Sequence, residues 1–146
     1  MQYEPSQMWK VIIIDDEPML RELLEEMIGD LGYRTISYDN AFAALAALST
    51  KLKIEFEDGI DSKQNFDIIV CDVKMPGMSG IEFYDKLRIM NPNLAARIVF
   101  VTGNRHDMAV QDFFDQSGSL WLEKPFRRSE LVSVLENLRR RISVAI

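Results

Sequence analysis

A doubly wound α/β sheet of five parallel strands is the fold this sequence predicts, and three observations carry the prediction. Short apolar runs alternate with helix-period segments five times along the chain. The runs at 11–14, 68–70 and 98–101 are continuously apolar and rich in β-branched residues, the pattern of central strands covered by helices on both faces. The 146 residues, 47% of them apolar, suffice for one compact domain with one core and leave no room for a second.

KVIIID, from Lys10, is the first strand. PMLRELLEEMIGDLG then places Leu20, Leu23, Leu24, Met27, Ile28 and Leu31 three and four apart, with Pro18 suited to the first helical turn and Gly32 to the C-terminal cap. YRTISY and FDIIVCD are the second and third strands, flanking the helix DNAFAALAALST. GIEFYDKLRIMN is the third helix, RIVFVT the fourth strand, and a weak helix begins near Asn104. SLWLE and RRSELVSVLENLRRRI close the pattern as strand and helix. Right-handed crossovers between parallel strands give the order 2-1-3-4-5. The domain is expected to span 1–146, with its core at about 10–142. The charged stretch KLKIEFEDGIDSKQ (51–64) exceeds the usual two to six or so residues between helix and strand. An extension of the second helix, a small hairpin and a mobile segment are all compatible with it.

Charge and composition exclude several classes. The formal net charge of −6 argues against direct nucleic-acid binding unless a basic patch is segregated on one face. Arg127, Arg128 and Arg139 to Arg141 are the only candidates, and the helix they border carries Leu131, Val134, Leu135, Leu138 and Ile142 on its far side. A solvated helix face is the reading that follows. Cys71 stands alone, so it forms neither a disulfide framework nor a paired-cysteine zinc site and reads as a small buried hydrophobe. No apolar run approaches the roughly 20 residues of a membrane span, and no secretory signal is visible, which suggests a cytoplasmic protein. Glycine-rich nucleotide loops are absent. The sole histidine, His106, reads as a surface residue, and Gly77, Met78, Ser79 and Gly80 as a flexible turn into the third helix.

The chemistry concentrates at strand ends. Asp15 and Asp16 close the first strand and Asp72 the third. In a sheet of this order, those two strands flank the point where the winding reverses and ligands bind. Two carboxylates about 4 Å apart repel by about 4 kcal/mol at an effective dielectric near 20, so a positive partner is expected. Carboxylates with room for water and a phosphoryl group suit Mg²⁺ best. Thr102 and Lys124, at the ends of the fourth and fifth strands, bring a hydroxyl and an ammonium to the same edge. A hydroxyl, a cationic side chain and a metal are what a phosphoryl group in transit requires.

With DDEP, DVKMPGMSG, VTG and EKPF in this order, the sequence resembles the receiver domain of two-component response regulators, of the CheY-like type, from about Lys10 to Ile142. The resemblance implies a flavodoxin-like (βα)5 fold. It also implies that Asp72 is the phosphoacceptor, Asp15 and Asp16 the metal-binding acidic pair, Thr102 the switch hydroxyl and Lys124 the phosphoryl-binding lysine. The Lys74 backbone carbonyl would be a further metal contact, and the Lys124–Pro125 peptide would be cis. The donor would be a phosphohistidine on a histidine kinase or phosphotransfer protein, and the recipient of the signal a downstream protein or a fused kinase.

Trp121 stands where the family usually has a tyrosine or phenylalanine that turns inward on activation; the alternative is an aromatic that packs on the last helix and does not switch. The fourth helix, fifth strand and last helix would form the output face. Lys74 and Asn104 depart from the common pattern at positions that, as the resemblance implies, flank the route of attacking water. RIVFVTGN and SGSLWLEKPF look most like receivers fused to hybrid histidine kinases, beside the stand-alone and excised-domain alternatives. No DNA-binding or enzymatic output module is expected after the last helix. Lys74 also occupies the position where a haloacid-dehalogenase-type phosphatase needs a second acid, which disfavours that enzyme. A receiver-like scaffold that is never phosphorylated is the remaining alternative.

Overall fold

The computed structural model describes residues 8–58, 66–104 and 106–144. Its strands are β1 (Lys10–Ile14), β2 (Arg34–Tyr38), β3 (Ile68–Asp72), β4 (Ile98–Thr102) and β5 (Leu120–Glu123), and its helices are α1 (Pro18–Asp30), α2 (Ala41–Asp58), α3 (Gly80–Met90), α4 (Pro92–Ala95), α5 (Met108–Ser117) and α6 (Arg128–Val144). All strand pairs are parallel, in the order β2-β1-β3-β4-β5. The predicted fold class and strand order are both observed.

Alternate residues of the central strands feed two core layers. Ile12, Ile14, Ile69, Cys71, Ile98 and Phe100 pack with Phe83 and Leu87 of α3 and Phe114 of α5. Val11, Ile13, Val70, Val99 and Val101 pack instead with Leu24 and Ile28 of α1 and Leu131, Leu135 and Leu138 of α6. β3 and β4 are buried along their whole length, because helices cover both faces. Cys71 is fully buried, as its small apolar character suggested.

The first helix begins with proline in its first turn and ends on a left-handed Gly32 (φ 96°), whose N–H donates to the Gly29 carbonyl at 3.0 Å. Leu23 departs from the expected apolar stripe. It is 46% exposed and lines a groove beside Lys124 with Met19 and Phe126.

The helix expected from Asn104 starts four residues later, at Met108, because Asp107 caps it by accepting from Ala109 and Val110. One short helix, α4, was not expected. Asn91 accepts the N–H of Leu94, and Pro92 fixes the first turn, so a single turn closes between α3 and β4. The charged stretch 51–64 resolves in part: 51–58 continue α2, and 59–64 lie outside the described residues. Of the arginines read as a solvated face, Arg139 lies over the rings of Trp9 (4.7 Å) and Tyr33 (5.8 Å), and Arg141 donates to the Gly118 carbonyl at 2.8 Å. Cation–π attraction holds Arg139 partly out of water, whereas Arg141 stays exposed while it satisfies an open helix-end carbonyl. No helix among the described residues is long and apolar enough to cross a membrane.

Candidate functional site

The register of β1 on β3 pairs Ile14 with Cys71, so Asp15 and Asp72 follow side by side at the carboxyl edge of the sheet. Asp15, Asp16 and Asp72 each present a carboxylate oxygen, all within 4.8 Å of one another. Asp15 is 1% and Asp72 4% exposed. Asp16 is the most open of the three.

Asp15 accepts the Glu17 N–H through Oδ1 at 2.9 Å, whereas its Oδ2 is buried without a hydrogen-bond partner. A buried carboxylate oxygen with no donor is costly. Burial pushes the Asp15 pKa up to about 6; the Glu17 N–H opposes this, and the Asp72 charge adds to it. An orphaned oxygen beside two further acids is a donor set of the kind hard divalent cations take.

Lys124 follows β5, and its backbone N–H donates to the Thr102 carbonyl at 2.8 Å, tying the ends of β4 and β5 together. Its Nζ lies 3.0 Å from Asp72 Oδ2. Burial pulls the Lys124 pKa down, but the hydrogen bond to Asp72 and the charges of Asp72 and Asp15 overcome it, and the net shift is upward. Burial likewise dominates at Asp72 and raises its pKa, despite the opposing hydrogen bond and charge of Lys124 and the Lys74 N–H. The lysine therefore stays charged while both buried acids resist ionisation. The Lys124–Pro125 peptide is cis.

Thr102, 2% exposed at the end of β4, accepts the Asn104 N–H through Oγ1 at 3.2 Å. Trp121 on β5 is half-buried and stacks flat on Phe114 of α5, with centroids 5.5 Å apart and planes at 2°. The alternative of packing on the last helix is thus not what the structure shows: the ring lies on α5. Trp121 pairs in register with Phe100 and shares its face of the sheet, which α5 covers and α6 does not. The exposed Lys74 reaches Asp107 Oδ2 at 3.6 Å. Asn104 accepts the N–H of His106, itself exposed.

The stretch 77–80 makes the turn into α3, with Gly77 at φ 82°, and its residues are held in place by packing and capping. Met78 is buried, Ser79 caps α3 by accepting the Glu82 N–H, and Gly80 is the first residue of that helix. A Cβ on Gly80 would lie 2.4 Å from the Asp72 carbonyl oxygen, so only glycine lets α3 start against the end of β3. Sequence reasoning also missed Asp107; the aspartate preceding an apolar helical stretch was the available signal.

Fold and site together define a doubly wound α/β domain with an acidic cluster and a paired lysine at the winding reversal. The family model of the response regulator receiver domain matches residues 11–136, and the chain belongs to that family: it is a receiver domain of the two-component type. It is 27% identical over 122 residues to sporulation initiation phosphotransferase F of Bacillus subtilis, covering 84% of this chain and 86% of that protein. It is also 27% identical to the transcriptional regulatory protein AruR of Pseudomonas aeruginosa, over 91% of this chain and 50% of that one. The positive alginate biosynthesis regulatory protein of the same organism is 32% identical, over 89% and 47%. The chain thus spans about half the length of the last two. Among solved structures, chemotaxis protein CheY4 of Vibrio cholerae superposes with a TM-score of 0.70 at 28% identity, over 90% of this chain and 98% of that one.

Proposed function

We propose that residues 10–142 form one phosphoacceptor domain in which Asp72 receives a phosphoryl group from a phosphohistidine with the help of Mg²⁺. The observation that carries this reading is the meeting of Lys124 Nζ with Asp72 Oδ2 at 3.0 Å inside an acid cluster that contains an unpartnered buried oxygen. Asp15, Asp16, Asp72 and the Lys74 backbone carbonyl would hold the cation. When bound, Mg²⁺ supplies charge neutralisation and alignment of phosphoryl oxygens.

The chain's own residues do the rest. An Asp72 carboxylate oxygen attacks phosphorus, the P–N bond to the donor imidazole breaks with its electron pair staying on the ring nitrogen, and an acyl phosphate remains on Asp72. Lys124 exchanges its carboxylate partner for a phosphoryl oxygen, as a flexible cationic point charge can. Thr102 Oγ1 now accepts from Asn104, which leaves its O–H to donate to the phosphoryl group.

Movement of Thr102 is read out through Trp121. Because that ring stacks on Phe114, turning inward breaks a contact with α5 and carries the change to the face formed by α5, β5 and α6. The domain acts as a signalling module of the cytoplasm and catalyses only its own phosphorylation and dephosphorylation. Its partners are a histidine kinase or phosphotransfer protein as donor, and a downstream protein or fused kinase as recipient. It makes no direct contact with nucleic acid.

Incubation with acetyl phosphate and Mg²⁺, followed by intact mass measurement, tests the reading. One acid-labile phosphate is expected on the parent protein, and none on Asp72→Asn or after chelation of the metal. No phosphate on the parent would leave a scaffold instead, and continuous release of phosphate with turnover would mark a phosphatase.

A further inference from the structure

A cavity of about 500 Å³ opens at the pole of the molecule opposite the acid cluster, where α3, α5 and α6 end. Arg88, Arg97 and Arg141 line it, and among the described residues no acidic side chain does. In a chain with 23 acidic and 17 basic residues, three guanidinium groups around one cavity without a carboxylate run against the overall charge.

The ordinary reading is that arginines complement the partial negative charge of helix C-termini. It fits Arg88 in the last turn of α3, and Arg141, which donates to the Gly118 carbonyl at 2.8 Å. Arg97 follows the C-cap of α4 directly, but a helix of four residues sums few peptide dipoles and gives it little to complement. Among the described residues, neither Arg88 nor Arg97 has a side-chain hydrogen bond or ion pair. Tyr84, Pro92 and Leu138 form an apolar wall of the same cavity. Its volume falls within the range of about 300–1,000 Å³ that small-ligand sites occupy.

We propose that this cavity binds a phosphorylated small molecule of nucleotide size, with phosphate groups on Arg88, Arg97 and Arg141 and a ring against Tyr84, Pro92 and Leu138. Guanidinium forks match phosphate oxygens in pairs, and an anion relieves the mutual repulsion of three cations around one space. The apolar wall adds burial that inorganic phosphate cannot use.

Calorimetric titration of the full chain in chelator, which removes metal-nucleotide binding at the acid cluster, tests this with ADP, pyrophosphate and adenosine as probes. Saturable ADP binding, tighter than that of either fragment, is expected. Arg97→Gln and Arg88→Gln should each weaken it about tenfold, the size of one lost charge-assisted hydrogen bond, while Asp72 remains phosphorylatable in both variants. Arg128→Gln, which removes an exposed arginine paired with Asp30 at 3.8 Å, should leave the affinity unchanged. The proposal is overturned by absence of saturable ADP binding below the millimolar range, by affinity unaffected in both cavity variants, or by equal weakening in Arg128→Gln. Binding of polyglutamate with no nucleotide binding would also overturn it, in favour of an acidic protein segment.

Discussion

Asp15 is the residue at which folding and function pull in opposite directions. Its pKa is raised from 3.8 to about 6, chiefly by burial, so between those values the folded chain holds a proton that the unfolded chain releases. Stability of the metal-free protein therefore falls as pH rises through this window, and above it the ionised carboxylate costs about 2–3 kcal/mol. Asp15→Asn keeps the acceptor for the Glu17 N–H and removes the charge. In chelator at pH 7, denaturant melts should find it more stable than the parent by about 1–3 kcal/mol, with the advantage gone below pH 4 or so. Equal stability at both pH values would reject the account. Lys74 and Asn104 belong to this scale too. The first pairs with Asp107 at 3.6 Å, and the second donates its N–H to the Thr102 hydroxyl; the family resemblance is what sets both beside the route of attacking water. Dephosphorylation rates of Lys74→Ala and Asn104→Ala should each differ from the parent's, and unchanged rates would remove them from control of the phosphorylated state's lifetime. The strand-end acids were legible because like charges at the end of an apolar run stand out. Asp107 was not, because a capping aspartate looks like any polar loop residue until its two N–H donors are in place.

At the level of elements, the helices show where local pattern suffices. α1 carries its own start and stop signals, Pro18 and Gly32, and the two appear as expected. α5 carries apolar positions, but it does not start at the residue where the sequence placed it, and its start depends on one side chain. Asp107→Ala removes the acceptor for Ala109 at 3.0 Å and Val110 at 3.3 Å and should destabilise the protein by about 1 kcal/mol in urea unfolding. It also removes the ion pair to Lys74, but that lysine is 63% exposed, so the pair contributes little. Lys74→Ala serves as the control, with a change under about 0.5 kcal/mol. If the two variants were equally destabilised, the cap would not be what starts α5. The helical continuation of α2 through Asp58 could not be chosen from sequence, because a charged stretch with scattered apolar residues satisfies helix and hairpin alike.

Over the whole molecule, the sheet separates two cores that share a backbone and few side-chain neighbours. Ile98 lies in the layer under α3 and α5, and Ile28 in the layer under α1 and α6. Ile28→Val and Ile98→Val should each cost about 0.5–1.5 kcal/mol. The double variant should lose their sum to within about 0.5 kcal/mol, measured by equilibrium unfolding; a clear departure would mean that the layers couple through the sheet. The sequence by itself determined the five-stranded alternation, the strand order and the identity of the strand-end acids, because periodicity, chirality and charge placement act over a few residues. Only tertiary structure decided that Trp121 stacks on α5, that Arg139 leaves the solvated face for two aromatic rings, and that one oxygen of Asp15 stays without a partner. Each depends on which distant segments close around a side chain, and local pattern holds no record of that.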